Sequence, residues 1–256
     1  MAVNKLKKIF PRITTRGFYD LKTGKTIIKS QYRLYPKKKF DELIGSKELT
    51  IMIHGLRNNN SGALSKFRIA KKRLKQLGYN HDIVGFSYDS NTVGAQYTSQ
   101  EIHALNVGII IANKNGKNLA EFITDFKNHS PATKIRLIGH SLGTHVILSA
   151  IKKLSKKNFS QGIIESVYFF GASISHDSLQ LKNFSKSEQK TIKSKIKNFY
   201  SPYDEVLRVA NDENLIPTPI GYKGIIGKTT SKYSQILVKP KNHRFVSYIS
   251  VLRSFP

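Results

Sequence analysis

The sequence predicts an α/β fold with a mostly parallel, doubly wound sheet. Six short apolar runs have the length of strands and little polar alternation, which is typical of strands buried on both faces of a parallel sheet. Between them lie stretches whose apolar residues recur three and four positions apart, the pattern of amphipathic crossover helices. The chain has 256 residues, 39% of them apolar, enough for one large core. We expect a single domain over residues 1–256, with a hairpin and basic connector at 1–47 and the core at 48–256.

The opening stretch predicts a β-hairpin. Residues 16–35 alternate around a Lys-Thr-Gly-Lys turn at 22–25, with Gly24 at the position that needs a positive φ. The lysine-rich residues 36–40 are interpreted as a connector. We expect the hairpin to extend one edge of the sheet in the antiparallel sense.

The remaining elements alternate along the chain. The predicted core strands cover residues 49–53, 83–88, 135–138, 167–170, 196–200 and 236–238. The helical spacing is clearest in two sets of residues, Leu64, Phe67, Ala70, Leu74 and Leu77, and Leu119, Phe122, Ile123 and Phe126. Alternating strands and helices predict a parallel sheet with helices on its faces.

The charge balance bears on the partners. With 43 Lys and Arg against 16 Asp and Glu, the formal net charge is +27, which favours contact with anionic surfaces. The lysine clusters are spread along the chain, a pattern more typical of solvated helix faces than of a dedicated site. We expect weak, nonspecific contact with anionic membrane or nucleic acid that falls away near physiological salt, where the Debye length is about 8 Å.

Several classes of protein are excluded by what the sequence lacks. It has no cysteine, which removes disulfides, thiolate metal sites and a cysteine nucleophile. It has no phosphate-binding glycine motif and no His-Glu-x-x-His pair, so we expect no cofactor and no metal. Pro11 and Arg12 follow the first lysines where a secretory signal would be apolar, and the longest strongly apolar run, 107–112, is too short to span a membrane. These features predict a soluble, cytoplasmic protein.

A nucleophile motif stands at residues 139–143. Gly-His-Ser-Leu-Gly places Ser141 between a predicted strand and a helical stretch at 144–154, which is the setting that the G-x-S-x-G pattern requires. Gly139 and Gly143 leave room for the tight turn. We therefore expect a strained Ser141 whose hydroxyl projects from the carboxyl edge of the sheet at a helix N-terminus.

A second motif predicts an oxyanion hole. The first core strand ends in His54-Gly55-Leu56, where the backbone must bend toward the same point. The amides of Leu56 and Leu142 are the expected donors, and such donors are each worth roughly 3 kcal/mol in serine hydrolases. His54 is interpreted as a support of this loop.

These residues resemble the α/β-hydrolase superfamily, and within it the lipase-like serine hydrolases. Gly-His-Ser-Leu-Gly-x-His and Ile-His-Gly-Leu look like lipase signatures, and residues 54–59, His-Gly-Leu-Arg-Asn-Asn, are similar to a poorly characterised branch of the superfamily. The resemblance covers about residues 48–256 and is most specific over 48–154. It implies the α/β-hydrolase fold and a triad in the chain order serine, acid, histidine.

The triad order leaves two candidates for each remaining member. His243 is favoured over His176 because it follows the last predicted strand and begins a predicted helix at 244–252, where the superfamily places its histidine. Asp204 is the favoured acid because it follows the strand at 196–200 and a Ser-Pro turn, and Asp177 is the runner-up. Asp204 could also be a helix N-cap. His140 and His145 are interpreted as packing or hydrogen-bonding residues.

The resulting hypothesis is a serine hydrolase that cleaves carboxylic esters, lipid-like or short in their acyl part, through an acyl-enzyme. An acyltransferase or thioesterase would use the same constellation, and a non-catalytic module that binds polyanions is the alternative outside enzymes. Residues 173–194 are short, polar and lysine-rich, which disfavours a large apolar lid. Residues 216–227 are the candidate lining of an acyl pocket.

Overall fold

The strands form one mixed sheet. The computed structural model describes residues 9–95 and 100–256. Its strands within those residues are β1 (Arg12–Thr14), β2 (Arg33–Tyr35), β3 (Glu48–Ile53), β4 (Asp82–Ser87), β5 (Lys134–His140), β6 (Ile164–Phe170), β7 (Ile192–Tyr200) and β8 (Tyr233–Leu237). They lie in the order β2-β1-β4-β3-β5-β6-β7-β8. The pair of β1 and β2 is antiparallel, and the other neighbouring pairs are parallel.

Helices cover both faces of this sheet. In chain order they are α1 (Lys37–Asp41), α2 (Asn60–Gln76), α3 (Glu101–His129), α4 (Gly143–Leu154), α5 (Lys186–Thr191), α6 (Glu205–Asp212), α7 (Ile220–Lys223) and α8 (Phe245–Ser250). α3 packs against α4, and α2 packs against α8. None of the helices in the described ranges has the length and apolar character that a membrane span requires.

The core has two layers because the strand side chains alternate between the faces. In β3, Ile51 and Ile53 belong to the layer under α3 and α4, whereas Met52 belongs to the layer under α2 and α8. All three side chains are fully buried. This burial on both faces explains why the core strands read as continuous apolar runs, and the α/β prediction with a mostly parallel sheet is confirmed.

The N-terminal antiparallel pair is also confirmed, but its strands lie elsewhere than predicted. The turn at residues 22–25 exists, with Gly24 at φ +70°, yet it closes only a single bridge between Tyr19 and Thr26. The pair that joins the sheet consists of β1, which precedes the predicted hairpin, and β2, at its end. β1 inserts between β2 and β4, so the alternation of residues 16–35 reflects a long connection rather than two strands. The predicted connector at 36–40 contains the short helix α1.

Candidate active site

The turn from β5 to α4 holds Ser141 in a strained conformation. Its φ of +51° lies in the left-handed region, which non-glycine residues rarely adopt. The Ser141 amide donates to the carbonyl of Phe170 at the end of β6, at 3.2 Å. A Cβ on Gly143 would lie 2.5 Å from the carbonyl oxygen of Ile53, and one on Gly139 would lie 2.8 Å from a side chain of α4. Backbone contacts therefore require a glycine at 143, and at 139 a larger residue would have to displace the end of the Ile147 side chain.

The three predicted triad residues lie in one hydrogen-bonded series. The loop after β7 carries Asp204, and the loop between β8 and α8 carries His243. His243 Nδ1 is 2.7 Å from Asp204 Oδ2, and His243 Nε2 is 3.0 Å from Ser141 Oγ. The carboxylate can only accept, so Nδ1 carries the proton and Nε2 is left to accept from the serine hydroxyl. This is the orientation in which an imidazole can act as a base toward Ser141.

The Asp204 carboxylate is buried but well supplied with donors. It is 1% exposed, and besides His243 it accepts from the Tyr248 hydroxyl at 2.6 Å and from the Leu207 amide at 3.2 Å. Burial alone would raise the pKa of Asp204, but the bonds from His243, Tyr248 and Leu207 outweigh it and hold that pKa below its ordinary value. Asp204 therefore stays ionised, and its bond to Leu207 also makes it the N-cap of α6.

His140 is hydrogen-bonded to the backbone of His243. Burial, with a smaller contribution from the neighbouring His243, lowers the pKa of His140 to about 3, so its ring is neutral at working pH. Its Nε2 lies 2.7 Å from the carbonyl oxygen of His243 and must donate to it. The predicted hydrogen-bonding role of His140 thus falls on the backbone of the residue that faces Ser141.

The two predicted oxyanion residues lie next to each other. A Cβ on Gly108 of α3 would meet Leu56 Cδ1 at 2.7 Å and Leu142 Cδ1 at 2.9 Å, so both leucine side chains occupy the space that this glycine leaves. A Cβ on Gly55 would lie 2.8 Å from Ser141 Cβ, which brings the loop after β3 against the serine. Among the described residues, neither the Leu56 nor the Leu142 amide donates a hydrogen bond.

A half-buried arginine from the N-terminal segment, Arg16, contacts the loop after β3. Arg16 Nε donates to Ser87 Oγ at 2.7 Å. Its Nη2 donates to the carbonyls of Asn58 and Asn59 at 2.9 and 3.2 Å and lies 3.3 Å from His54 Nε2. Burial lowers the pKa of Arg16, but a guanidinium remains charged, so these are charge-assisted hydrogen bonds.

His54 and Asn58 fix the same loop from inside. His54 is fully buried, and its Nε2 accepts from the Tyr88 amide at 3.3 Å, which leaves Nδ1 to donate to the Gly55 carbonyl at 3.0 Å. Burial holds the pKa of His54 well below its ordinary value. Asn58 Nδ2 donates to the carbonyl of Leu56 at 2.7 Å. The bend that presents the Leu56 amide is therefore set by neutral side chains within the loop and by one cation outside it.

The runner-up residues lie apart from this series. Asp177 accepts from the side chain of Asn183 at 3.1 Å on the surface. His176 uses its amide to bond the Thr218 carbonyl, and its Nδ1 is buried without a partner among the described residues. Neither residue contacts Ser141 or His243 in the hydrogen bonds of the described residues.

The candidate acyl-pocket lining at 216–227 is mostly interior. Ile216, Ile220 and Ile225 are each less than 8% exposed, and Ile226 alone of its isoleucines is open, at 76%. Gly221 sits against the backbone of Ala172. This stretch packs into the protein, so it does not offer the apolar lining that its composition suggested.

Two contributors were missed by sequence reasoning. Tyr248 lies one helical turn past His243 in a predicted helix, and nothing in its neighbours singles out its hydroxyl. Arg16 lies in a stretch read as part of a hairpin, far in sequence from the loop that it contacts. A histidine followed by a helix could have prompted a search for a polar residue on that helix, but no local signal points to Arg16.

The sheet order, the strand-turn-helix around Ser141 and the Ser-His-Asp series define the class of α/β hydrolases. The family described as alpha/beta hydrolase of unknown function (DUF900) matches residues 37–214, and the chain belongs to this family. Arg16 precedes the matched residues, and His243 follows them.

Solved structures with a similar fold have low sequence identity. A lipase-esterase related protein from Clostridium acetobutylicum is 14% identical, with a TM-score of 0.41 over 80% of this chain and 90% of that one. A putative hydrolase from Agrobacterium vitis is 12% identical, with a TM-score of 0.42 over 81% and 85%. A cutinase-like protein from Cryptococcus sp. is 11% identical, with a TM-score of 0.39 over 80% and 87%. A comparison with curated proteins finds no match.

Proposed function

We propose that the protein is a serine hydrolase that cleaves carboxylic esters of short or lipid-like acyl groups. Ser141 is the nucleophile, His243 the general base and acid, and Asp204 the residue that orients the imidazole. The observation that carries the proposal is the series of hydrogen bonds from Ser141 Oγ through His243 to Asp204. A serine hydroxyl is a weak nucleophile unless a positioned base accepts its proton.

In the acylation step, Ser141 Oγ attacks the ester carbonyl carbon while its proton moves to His243 Nε2. The carbonyl oxygen becomes an oxyanion, for which the Leu56 and Leu142 amides are the proposed donors, worth roughly 3 kcal/mol each. The bond to the leaving alkoxide then breaks, and His243 returns the proton to it. Asp204 stabilises the imidazolium and holds its tautomer throughout.

In the deacylation step, water takes the place of the alcohol. His243 Nε2 accepts a proton from water as the water oxygen attacks the acyl carbon. The second oxyanion accepts hydrogen bonds from the same two amides. The bond to Ser141 Oγ breaks as His243 gives the proton back to the serine, which releases the carboxylic acid and restores the starting state.

Contact with anionic membrane or nucleic acid stays a prediction from the net charge. Lysines such as Lys71 and Lys75 on α2 and Lys152 and Lys153 on α4 are exposed on helices that cover opposite faces of the sheet. These four lysines do not form one patch, and the partner that we propose is an ester substrate.

The test combines a fluorophosphonate probe with hydrolysis of p-nitrophenyl esters. We expect the wild-type protein to be labelled and to hydrolyse the butyrate ester, and Ser141→Ala to lose both with an unchanged thermal unfolding midpoint. The loss in kcat is expected to reach several orders of magnitude, about 10⁶-fold in the best-studied case. Ser250→Ala, which alters an exposed serine of α8, is the matched control.

Three outcomes would contradict the proposal. Retained hydrolysis by purified Ser141→Ala would remove Ser141 from the nucleophile role. Absence of labelling in the wild-type protein would favour the non-catalytic alternative, whereas labelling without hydrolysis of any ester would favour an acyltransferase or a thioesterase.

A further inference from the structure

The first turns of α3 extend past the start of α4. A Cβ on Gly108 would lie 2.9 Å from the Leu142 side chain, and one on Gly116 would lie 2.3 Å from the Ser149 side chain. Both pairs increase together along the chain, so the two helices run in the same direction. α3 begins at Glu101, and at 1.5 Å per residue the part before Gly108 extends roughly 10 Å beyond the elbow.

The flank of α3 that faces α4 is apolar in this extension. Gly116 and Asn113, whose carbonyl accepts from a serine of α4 at 2.7 Å, mark that flank. Ile109, Leu105 and Ile102 continue along it toward the N-terminus at spacings of four and three residues, which share one helix face. Ile109 and Leu105 are half-buried, and Ile102 is 48% exposed. We call these three residues the acyl wall.

Polar contacts fix the beginning of α3. They join it to residues 54–59 after β3, which we call the oxyanion loop, and to Thr92 in the segment before α3. Glu101 forms an ion pair with Arg57, the residue after Leu56. Thr92 donates its hydroxyl to the carbonyl of Ala104 at 2.8 Å. The apolar flank is therefore fixed beside the loop whose amide is proposed to hold the oxyanion.

The chemistry of the proposed reaction decides which part of the ester meets this flank. The leaving alcohol must receive its proton from His243 Nε2, so it lies on the side of His243. α8, which follows His243, packs with α2 on one face of the sheet, and α3 covers the other face. With the alcohol toward α8, the acyl chain on the tetrahedral carbon is directed toward α3.

We propose that the acyl chain of the substrate lies along the acyl wall, with the half-buried Leu56 side chain at its inner end, and that the substrate is an ester of a medium-length apolar acid. This inference rests on the proposed ester hydrolysis. It places acyl selectivity in the overhanging turns of α3 and not in residues 216–227. Ile102 is 48% exposed, and Leu105 and Ile109 are half-buried, so part of the apolar surface of the wall is open to an acyl chain.

The experiment compares kcat/KM for p-nitrophenyl acetate, butyrate and octanoate. We expect the wild-type protein to prefer octanoate, and Ile102→Ser and Leu105→Trp each to lower the octanoate-to-acetate ratio by about tenfold, since contacts in an apolar pocket discriminate on this scale. Ile226→Ser is the matched control, because it alters an exposed isoleucine of the competing stretch and should leave all three values unchanged.

A second readout does not depend on turnover. Labelling rates of Ser141 with methyl and octyl phosphonates should show the same dependence on chain length and the same loss in both wall variants. A ratio that changes in Ile226→Ser and not in the wall variants would overturn the inference and return the acyl site to residues 216–227. Hydrolysis of acetate with no chain-length effect of either wall variant would overturn the inference alone. No hydrolysis and no labelling by the methyl probe would overturn the proposed function, and the acyl wall with it.

Discussion

The two halves of the candidate active site differ in which of their groups carry charge. After the roles proposed for them, we call one set of residues the proton-transfer half and another the oxyanion half. The proton-transfer half is Ser141, His140, Asp204, His243 and Tyr248, and the oxyanion half is Leu56, Leu142, His54, Asn58 and Arg16. The first centres on a buried carboxylate that receives three donors. The second centres on neutral backbone carbonyls that accept hydrogen bonds from the half-buried Arg16 guanidinium and from two neutral side chains.

The difference follows from what each half has to do. A ring that gains and loses a proton needs a fixed counter-charge and access to substrate, and the His243 side chain is 15% exposed over a fully buried Asp204 side chain. Amides that hold an oxyanion need only to stay where they are, and His54 is fully buried in a neutral state. We therefore expect charge changes to damage the first half through protonation and the second half through geometry.

The largest expected effects are those of variants in the proposed triad, among which Asp204→Asn tests the choice of the acid. Asparagine caps a helix as well as aspartate does, so α6 should persist, but it cannot stabilise the imidazolium or fix the tautomer of His243. We expect kcat to fall about 10⁴-fold, and His243→Ala to match the loss in Ser141→Ala because triad members act as a unit. Steady-state kinetics with p-nitrophenyl butyrate provide the measurement.

Asp177→Asn is the matched control for this acid. It removes the surface carboxylate that was the alternative by sequence order and should leave kcat unchanged. A reversed ranking of the two variants would move the acid to the loop after β6 and break the proton-transfer half as we define it.

The next largest effect is expected at Arg16, which positions the oxyanion loop without touching substrate. Arg16→Gln removes the charge-assisted hydrogen bonds to the carbonyls of Asn58 and Asn59. One hydrogen bond of this kind contributes about 1.5–3 kcal/mol, so we expect kcat to fall roughly 10- to 100-fold. KM should change little, since the amides act on the transition state. Arg16→Lys should restore part of kcat by supplying one donor.

Arg12→Gln serves as its control. Arg12 also lies at the start of the sheet but stacks on Tyr35, 4.3 Å from the ring centre, away from the loop. If Arg16→Gln lowers the unfolding temperature but leaves kcat at the wild-type value, Arg16 has a structural role only.

The sequence predicts the parts of the molecule that depend on local patterns better than those that depend on pairings distant in sequence. The core strands and Ser141 follow from local patterns, since burial on both faces and a tight glycine-flanked turn leave direct traces in neighbouring residues. The choice of Asp204 and His243 follows from the triad order that the resemblance implies and from their places after predicted strands, whose carboxyl ends share one edge of a parallel sheet. The part played by Arg16 depends on β1 entering the sheet beside β4, a pairing distant in sequence that three residues of β1 cannot signal. The hairpin was misplaced for the same reason.

A smaller effect concerns the dependence of the free energy of unfolding on pH. The buried histidines of the two halves should change it in the same direction. Burial lowers the pKa of His140 to about 3 and of His145, on α4, to about 4, and holds that of His54 well below its ordinary value. As pH falls below about 6.5, the unfolded chain binds protons that these folded residues do not, so the free energy of unfolding should fall by up to about 1.4 kcal/mol per pH unit for each histidine. For His145 this dependence should end near its folded pKa of about 4.

Urea unfolding at pH 7.5 and pH 5 measures this slope. His145→Gln keeps a donor for the Ser173 carbonyl, which His145 Nε2 approaches at 3.0 Å, but cannot titrate, so its stability should depend less on pH by about 2 kcal/mol between these values. Asn128→Gln, which alters an exposed side chain that does not titrate, should retain the wild-type slope. Equal slopes in wild type and His145→Gln would show that His145 is protonated in the folded state.

The smallest expected effect is that of Tyr248→Phe, which sharpens the account of the buried carboxylate. Tyr248 is fully buried and donates to Asp204 Oδ2 at 2.6 Å, and phenylalanine keeps the ring while it removes one of three donors. A hydrogen bond to a charged group contributes about 1.5–3 kcal/mol, but this bond is made in both the ground state and the transition state, so we expect kcat to fall only about fivefold and the pKa of Asp204 to move upward toward its ordinary range. His243 and the Leu207 amide still hold the carboxylate in its ionised form, which is why the loss stays far below that of Asp204→Asn.

Tyr168→Phe, at a fully buried tyrosine of β6, controls for general loss of a core hydroxyl. A loss in Tyr248→Phe as large as in Asp204→Asn would mean that the tyrosine, and not the imidazole alone, keeps Asp204 ionised, and the charge of the proton-transfer half would then depend on α8 as well as on His243 in the loop before it.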